Sequence, residues 1–188
     1  ASNFGPVCPG TPATYTITVN PLPSITSSLN EAVCSGQPFT YTIAADLANT
    51  TFTWARAAVA GISNPPASGA SVSFTETLNN TTNGDIDVKY ILTPRSQAPA
   101  LCTGNPVTLT VKVRALPFVN AGADITIPYG TYTGLNATAS GGTGSLKYSW
   151  SPNTYIDSGV STLTPQTTNL TGSRTFTFTA IDSKGCSL

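Results

Sequence analysis

The 188-residue chain contains no histidine and no methionine, and charged residues make up only 9% of it. Without histidine, Ser-His-Asp and Cys-His catalysis are excluded, along with most catalytic zinc. Eight basic residues balance eight acidic ones and are scattered, so the sequence offers no cationic cluster for phosphates and nucleic acid is not an expected partner. No apolar run approaches the roughly 18 residues that cross a bilayer, so no membrane insertion of this segment is expected. Glu31 and Glu76 are the only glutamates, and neither has the setting of a glycosidase carboxylate pair. No enzymatic activity is predicted. The sequence opens without a leader peptide or an initiator methionine, which predicts a segment of a longer exported chain.

What the chain has instead is threonine, serine, asparagine, glycine and proline, a profile of strands punctuated by turns. Of its four cysteines, three share one pattern, C-x-G-x-P: "CPGTP" at 8–12, "CSGQP" at 34–38 and "CTGNP" at 102–106. Structural zinc needs closely spaced ligand pairs, and thiol catalysis needs C-x-x-C or a neighbouring base. Neither is present. A disulfide framework in an oxidising compartment remains.

After each copy the chain alternates with period two, the signature of a half-buried strand. "TYTITV" puts Tyr15, Ile17 and Val19 on one face, "FTYTI" Phe39, Tyr41 and Ile43, and "VTLTVKV" Val107, Leu109, Val111 and Val113. The first and third copies lead to proline-marked junctions, Pro21-Leu22-Pro23 and Leu116-Pro117, where few contacts are expected to cross. Superposing them gives a repeat of about 94 residues, the length of one sandwich. The expected organisation is therefore a closing strand of a preceding module (1–22), a complete sandwich (23–116) and a sandwich lacking its last strand (117–188).

Strands are predicted at 39–45, 50–56, 71–78, 85–94 and 107–113, then at 123–128, 132–140, 146–152 and 174–182, with no helix. "ARAAVAG" lacks helical periodicity and a cap and reads as a loop. An open last edge facing a partnerless strand at 13–20 predicts strand addition between chains.

Two stretches carry a family resemblance. "NAGADITIPYGTYTGLNATASGGTGSLKYSWSPNTYI" followed by "TFTFTAIDSKGC" resembles a PKD domain, an immunoglobulin-like sandwich, with "YSWSPN" where that family usually carries W-D-F-G-D-G. Residues 23–116, with "VCSGQPFTYTI", "TFTWARAAVAGISNPPASG", "ETLNNTT", "VKYILTP" and "CTGNPVTLTVKV", are similar to PKD-like repeats of giant surface adhesins of gliding Bacteroidota. The resemblance implies an all-β chain of tandem immunoglobulin-like/PKD β-sandwich modules. It also implies type IX secretion and display on the bacterial cell surface. Expected partners are neighbouring modules of the same chain, and extracellular polysaccharide or solid surfaces. The alternative is a non-catalytic carbohydrate-binding module of a secreted hydrolase.

Site expectations follow. Cys34 and Cys102 flank one module and are expected to form a disulfide, closing about 69 residues and adding about 4 kcal/mol in the chain-entropy model. The partners of Cys8 and Cys186 stay open. Trp54 and Trp150, each in an alternating strand, fit the core of a sandwich; the competing reading is a platform for stacking sugar rings. No cofactor is expected. Calcium is the alternative, through Asp124, Asp157 and Asp182, but these come from separate loops where calcium needs convergent oxygens.

Overall fold

The computed structural model describes residues 10–188. The first core is built by seven strands: β1 (Asn30–Cys34), β2 (Pro38–Thr42), β3 (Thr51–Arg56), β4 (Ala67–Gly69), β5 (Ser73–Thr77), β6 (Ile86–Arg95) and β7 (Val107–Arg114). They form two sheets, ordered β1-β7-β6-β3-β4 and β2-β5. Alternation decides which side chains meet. Phe39, Tyr41 and Phe74 point inward from the small sheet, and Val88, Tyr90, Leu92, Leu109, Val111 and Val113 from the large one. Those positions are the apolar halves of the period-two runs, so the threonines between them face outward.

β7 lies between β6, which it pairs antiparallel, and β1, which it pairs parallel. The sequence gives little sign of β1, since "NEAVC" is short and only weakly alternating.

The second core is smaller. β8 (Pro117–Asn120) pairs with β9 (Thr138–Gly141), and β10 (Lys147–Ser151) with β13 (Thr177–Ile181). β11 (Ile156–Ser158) pairs with β12 (Gln166–Thr167), after a single 3-10 turn at Asn153–Tyr155. Ala137, Trp150 and Phe178 form its centre. Residues 57–61, read as a loop, are irregular, as expected.

Several expectations are corrected. Residues 123–128 form no strand, and of 132–140 only the end enters one. Residues 14–19 belong to no strand either; Tyr15, Ile17 and Val19 are 90%, 75% and 85% exposed. Alternation specifies which face a strand would bury, but a strand forms only against a partner edge. The junction prolines are not free hinges. Pro23 and Pro117 are fully buried, and Pro117 begins β8.

The expected Cys34–Cys102 bond is also corrected: Cys34 is bonded to Cys186, with Cα atoms 5.5 Å apart, and Cys102 is a free cysteine. The reason is the parallel register, which sets Cys34 opposite Arg114, the last residue of β7. Cys102 precedes the other end of β7, a strand's length of roughly 20 Å away. The resulting bond crosses the second proline junction.

The C-x-G-x-P glycines serve two different ends. Gly36 adopts φ +76°, which a residue with a Cβ resists. Gly104 instead accommodates a close approach: a Cβ there would lie 2.0 Å from the carbonyl oxygen of Pro23.

Candidate functional site

Polar chemistry in the first core centres on Arg56, at the end of β3. Its guanidinium makes two hydrogen bonds to Glu76 of β5, Nε to Oε2 at 2.9 Å and Nη2 to Oε1 at 2.8 Å. Nη2 also donates to the Pro65 carbonyl, and the Tyr90 hydroxyl donates to Glu76 Oε2 at 2.5 Å. Burial pushes the Glu76 carboxyl up, but hydrogen bonds from Arg56 and Tyr90 together with the Arg56 charge outweigh it, leaving the group below its ordinary range. Burial and the same carboxylate push the Tyr90 phenol up. A carboxyl shifted down and a phenol shifted up exchange no proton near neutrality. The trio is a clamp between two sheets rather than an acid–base pair.

Asp182 has a comparable role in the second core. Its Oδ1 accepts hydrogen bonds from the amides of Lys184 (2.8 Å) and Cys186 (2.9 Å), and its Oδ2 from that of Thr143 (2.8 Å). Burial raises its pKa and these three donors lower it, with a net downward shift. The residue thereby fixes the turn that carries Cys186 against the β9–β10 connection. Asp124 and Asp157 are exposed and lie elsewhere. Among the described residues, no group of three or more His, Cys, Asp or Glu side chains gathers at metal-binding spacing.

The tryptophans are placed differently from each other. Trp150 is 4% exposed, donates from Nε1 to the Thr162 carbonyl at 2.9 Å and packs on Phe178. A ring so enclosed presents no face to a sugar, which corrects the stacking alternative for this residue. Trp54 is half-buried, stacked on Phe74 at a centroid distance of 4.3 Å, with Gly69 against its indole edge. The two rings belong to separate cores and do not form one platform.

A groove of about 490 Å³ opens in the second core. Residues 121–129 form one wall and residues 172–176 the other, with Leu135 and Trp150 between them. Its lining contains no cluster of ionisable groups suited to bond chemistry. Neither wall's role was legible in the sequence. In the sequence Asp182 stood out only as a calcium candidate and Cys186 only as a cysteine of open partner, and neither reading shows what the residue contacts.

Residues 31–117 match a family model described as a PKD-like domain. No curated protein matches the chain. Among solved structures, the chain is similar to a C-terminal 282-residue fragment of intimin in complex with the intimin-binding domain of the translocated intimin receptor. That pair is 19% identical over 87% of this chain and 61% of the fragment, with a TM-score of 0.45. It is also similar to the IG1+IG2 segment of DIP-gamma (12% identical; 89% of this chain, 94% of that one; TM-score 0.38). A further match is to fibronectin(III)-like modules of Clostridium thermocellum CbhA (12% identical; 88% of each chain; TM-score 0.31). The fold is all-β, and the stretch 31–117, which matches the PKD-like model, includes the two sheets of the first core. No helix of the described residues is long and apolar enough to cross a membrane, and the disulfide is that of an extracellular domain.

Proposed function

We propose that the chain is a non-catalytic structural and adhesive segment of a large bacterial cell-surface protein, a spacer that holds a distal binding element away from the cell. One observation carries this reading: the polar and reactive side chains that the fold brings together are internal ties. Arg56, Glu76 and Tyr90 join two sheets, Asp182 fixes a turn, and Cys34–Cys186 links the two cores. The resemblance to surface repeats of gliding Bacteroidota supports export by the type IX route and a place among adhesins moved during gliding.

Antibodies raised against the chain test the reading in cells that produce the parent protein. They are expected to label intact cells, and mild surface proteolysis to remove the label. Labelling only after permeabilisation would overturn it. A glycan array probed with the full chain separates the spacer from a carbohydrate-binding module, since the spacer gives no saturable glycan binding.

A further inference from the structure

The connection between β5 and β6 contains Asn83-Gly84, the only Asn-Gly pair in the sequence. An asparagine carboxamide can be attacked by the main-chain nitrogen of the residue that follows it, closing a cyclic imide. A Cβ on that following residue obstructs the closure, and glycine has none. Two asparagines of this connection have opposite settings. Asn80 Nδ2 donates to the carbonyls of Gly84 (2.7 Å) and Val113 (3.1 Å), and its Oδ1 accepts from the amide (2.9 Å) and the hydroxyl (2.8 Å) of Thr82. Its carboxamide is held at both ends, and Thr81 follows it. Asn83 is exposed, and among the described residues its side chain makes no hydrogen bond. The attacking group is equally free. Gly84 is exposed, its amide reaches only the Thr82 hydroxyl at a long 3.4 Å, and a Cβ built on it would meet nothing within 4 Å.

We infer that Asn83 is a site of uncatalysed covalent modification in the folded protein, converting to aspartate and isoaspartate. The Gly84 nitrogen loses its proton and bonds to Asn83 Cγ, while the Cγ–Nδ2 bond breaks and the side-chain nitrogen leaves as ammonia. Water then opens the imide. Opening at Cγ gives aspartate; opening at the main-chain carbonyl gives isoaspartate, in which the chain runs on through the side chain. One water is consumed and one ammonia released, so the step draws on no oxidant or cofactor. Both products place a new carboxylate two residues from Asp85 and four from Asp87, and take the formal charge of the chain from zero to minus one. Isoaspartate also adds one atom to the main chain between Thr82 and Gly84, where Asn80 bridges Gly84 to Val113 of β7. Asp85 Oδ1 accepts from the Ala115 amide at 3.1 Å, so the altered connection is also the one that ties the first core to the second proline junction.

Ageing of the full chain in neutral and in mildly alkaline buffer, followed by peptide mass mapping, tests this. Cleavage after Arg56 and Lys89 isolates one fragment that contains Asn64, Asn79, Asn80 and Asn83. The acid mass is expected at Asn83 alone, with more of it in alkali, and the isoaspartate share is read by methylation with protein isoaspartyl methyltransferase. Gly84→Ala should slow the conversion by at least about tenfold. Its methyl group meets nothing within 4 Å, so the variant keeps the fold. Unfolding the wild-type chain in urea should speed the reaction by no more than about tenfold, because the folded connection leaves the pair unrestrained. Conversion of another asparagine of the fragment ahead of Asn83 would overturn the inference. So would an unchanged rate in Gly84→Ala, or reaction confined to the unfolded chain.

Discussion

Arg56 and Glu76 meet across the two sheets of the first core, their side chains 1% and 14% exposed and joined by a two-point bond. Removing one member leaves the other charged, buried and unpaired. Glu76→Ala is therefore expected to cost about 3–5 kcal/mol in urea unfolding. The exposed pair Lys112–Asp87, at 2.7 Å, is the contrast. Screened by solvent on both sides, it should be insensitive to Asp87→Asn within experimental error.

The same carboxylate sets the response to acid. Glu76 and Asp182 both titrate below their ordinary values in the folded chain, so the unfolded chain takes up protons first as pH falls. The stability they contribute is full above the ordinary values, 4.5 and 3.8, and is lost as pH drops through the lower folded ones. Thermal melts between pH 7 and pH 2 are expected to show this acid limb, shallower in Glu76→Gln and in Asp182→Asn. An unchanged limb in both variants would refute the assignment.

Cysteine connectivity is open to direct reading. A non-reduced peptide map should contain the Cys34–Cys186 linked peptide and lack Cys34–Cys102. Four cysteines allow three complete pairings, and spacing alone does not choose among them. The parallel β1–β7 ladder does, and parallel pairing was the feature least visible in the sequence. The long alternating strands were legible: β6 and β7 lie within one residue of their expected bounds, because each buries one face in a core. Residues 123–128 alternate as clearly and form no strand, since their edge lacks a partner among the described residues. Asp182 illustrates the remaining limit: the sequence offers a carboxylate in a loop, and only the three converging amides define its role.

Gly104→Ala is predicted to destabilise the chain strongly, by about 1–3 kcal/mol or more from overpacking, because the new methyl would collide with the Pro23 carbonyl. Gly10→Ala, in the equivalent position of the first motif, meets nothing within 4 Å and should be silent. Differential scanning calorimetry of the two variants makes the comparison.

Trp150→Ala should cost about 3–5 kcal/mol. Oligosaccharides added to the wild-type chain should leave the emission of Trp150 unquenched, as expected for a ring closed off by Phe178 and bonded to Thr162.

The Cys34–Cys186 bond also determines how the molecule carries load. Its partners are separated by 152 positions in sequence, so tension applied at the two ends passes from Cys34 directly to Cys186. Both cores then sit in a bypassed loop and bear little of the pull. If such segments are joined in series, as the proposed function has it, the assembly is short and stiff while oxidised. Once reduced, each segment can pay out roughly 500 Å of additional chain. Under load the extensible length of one segment therefore depends on whether the Cys34–Cys186 bond is intact, and single-molecule stretching with and without reductant should register the two lengths.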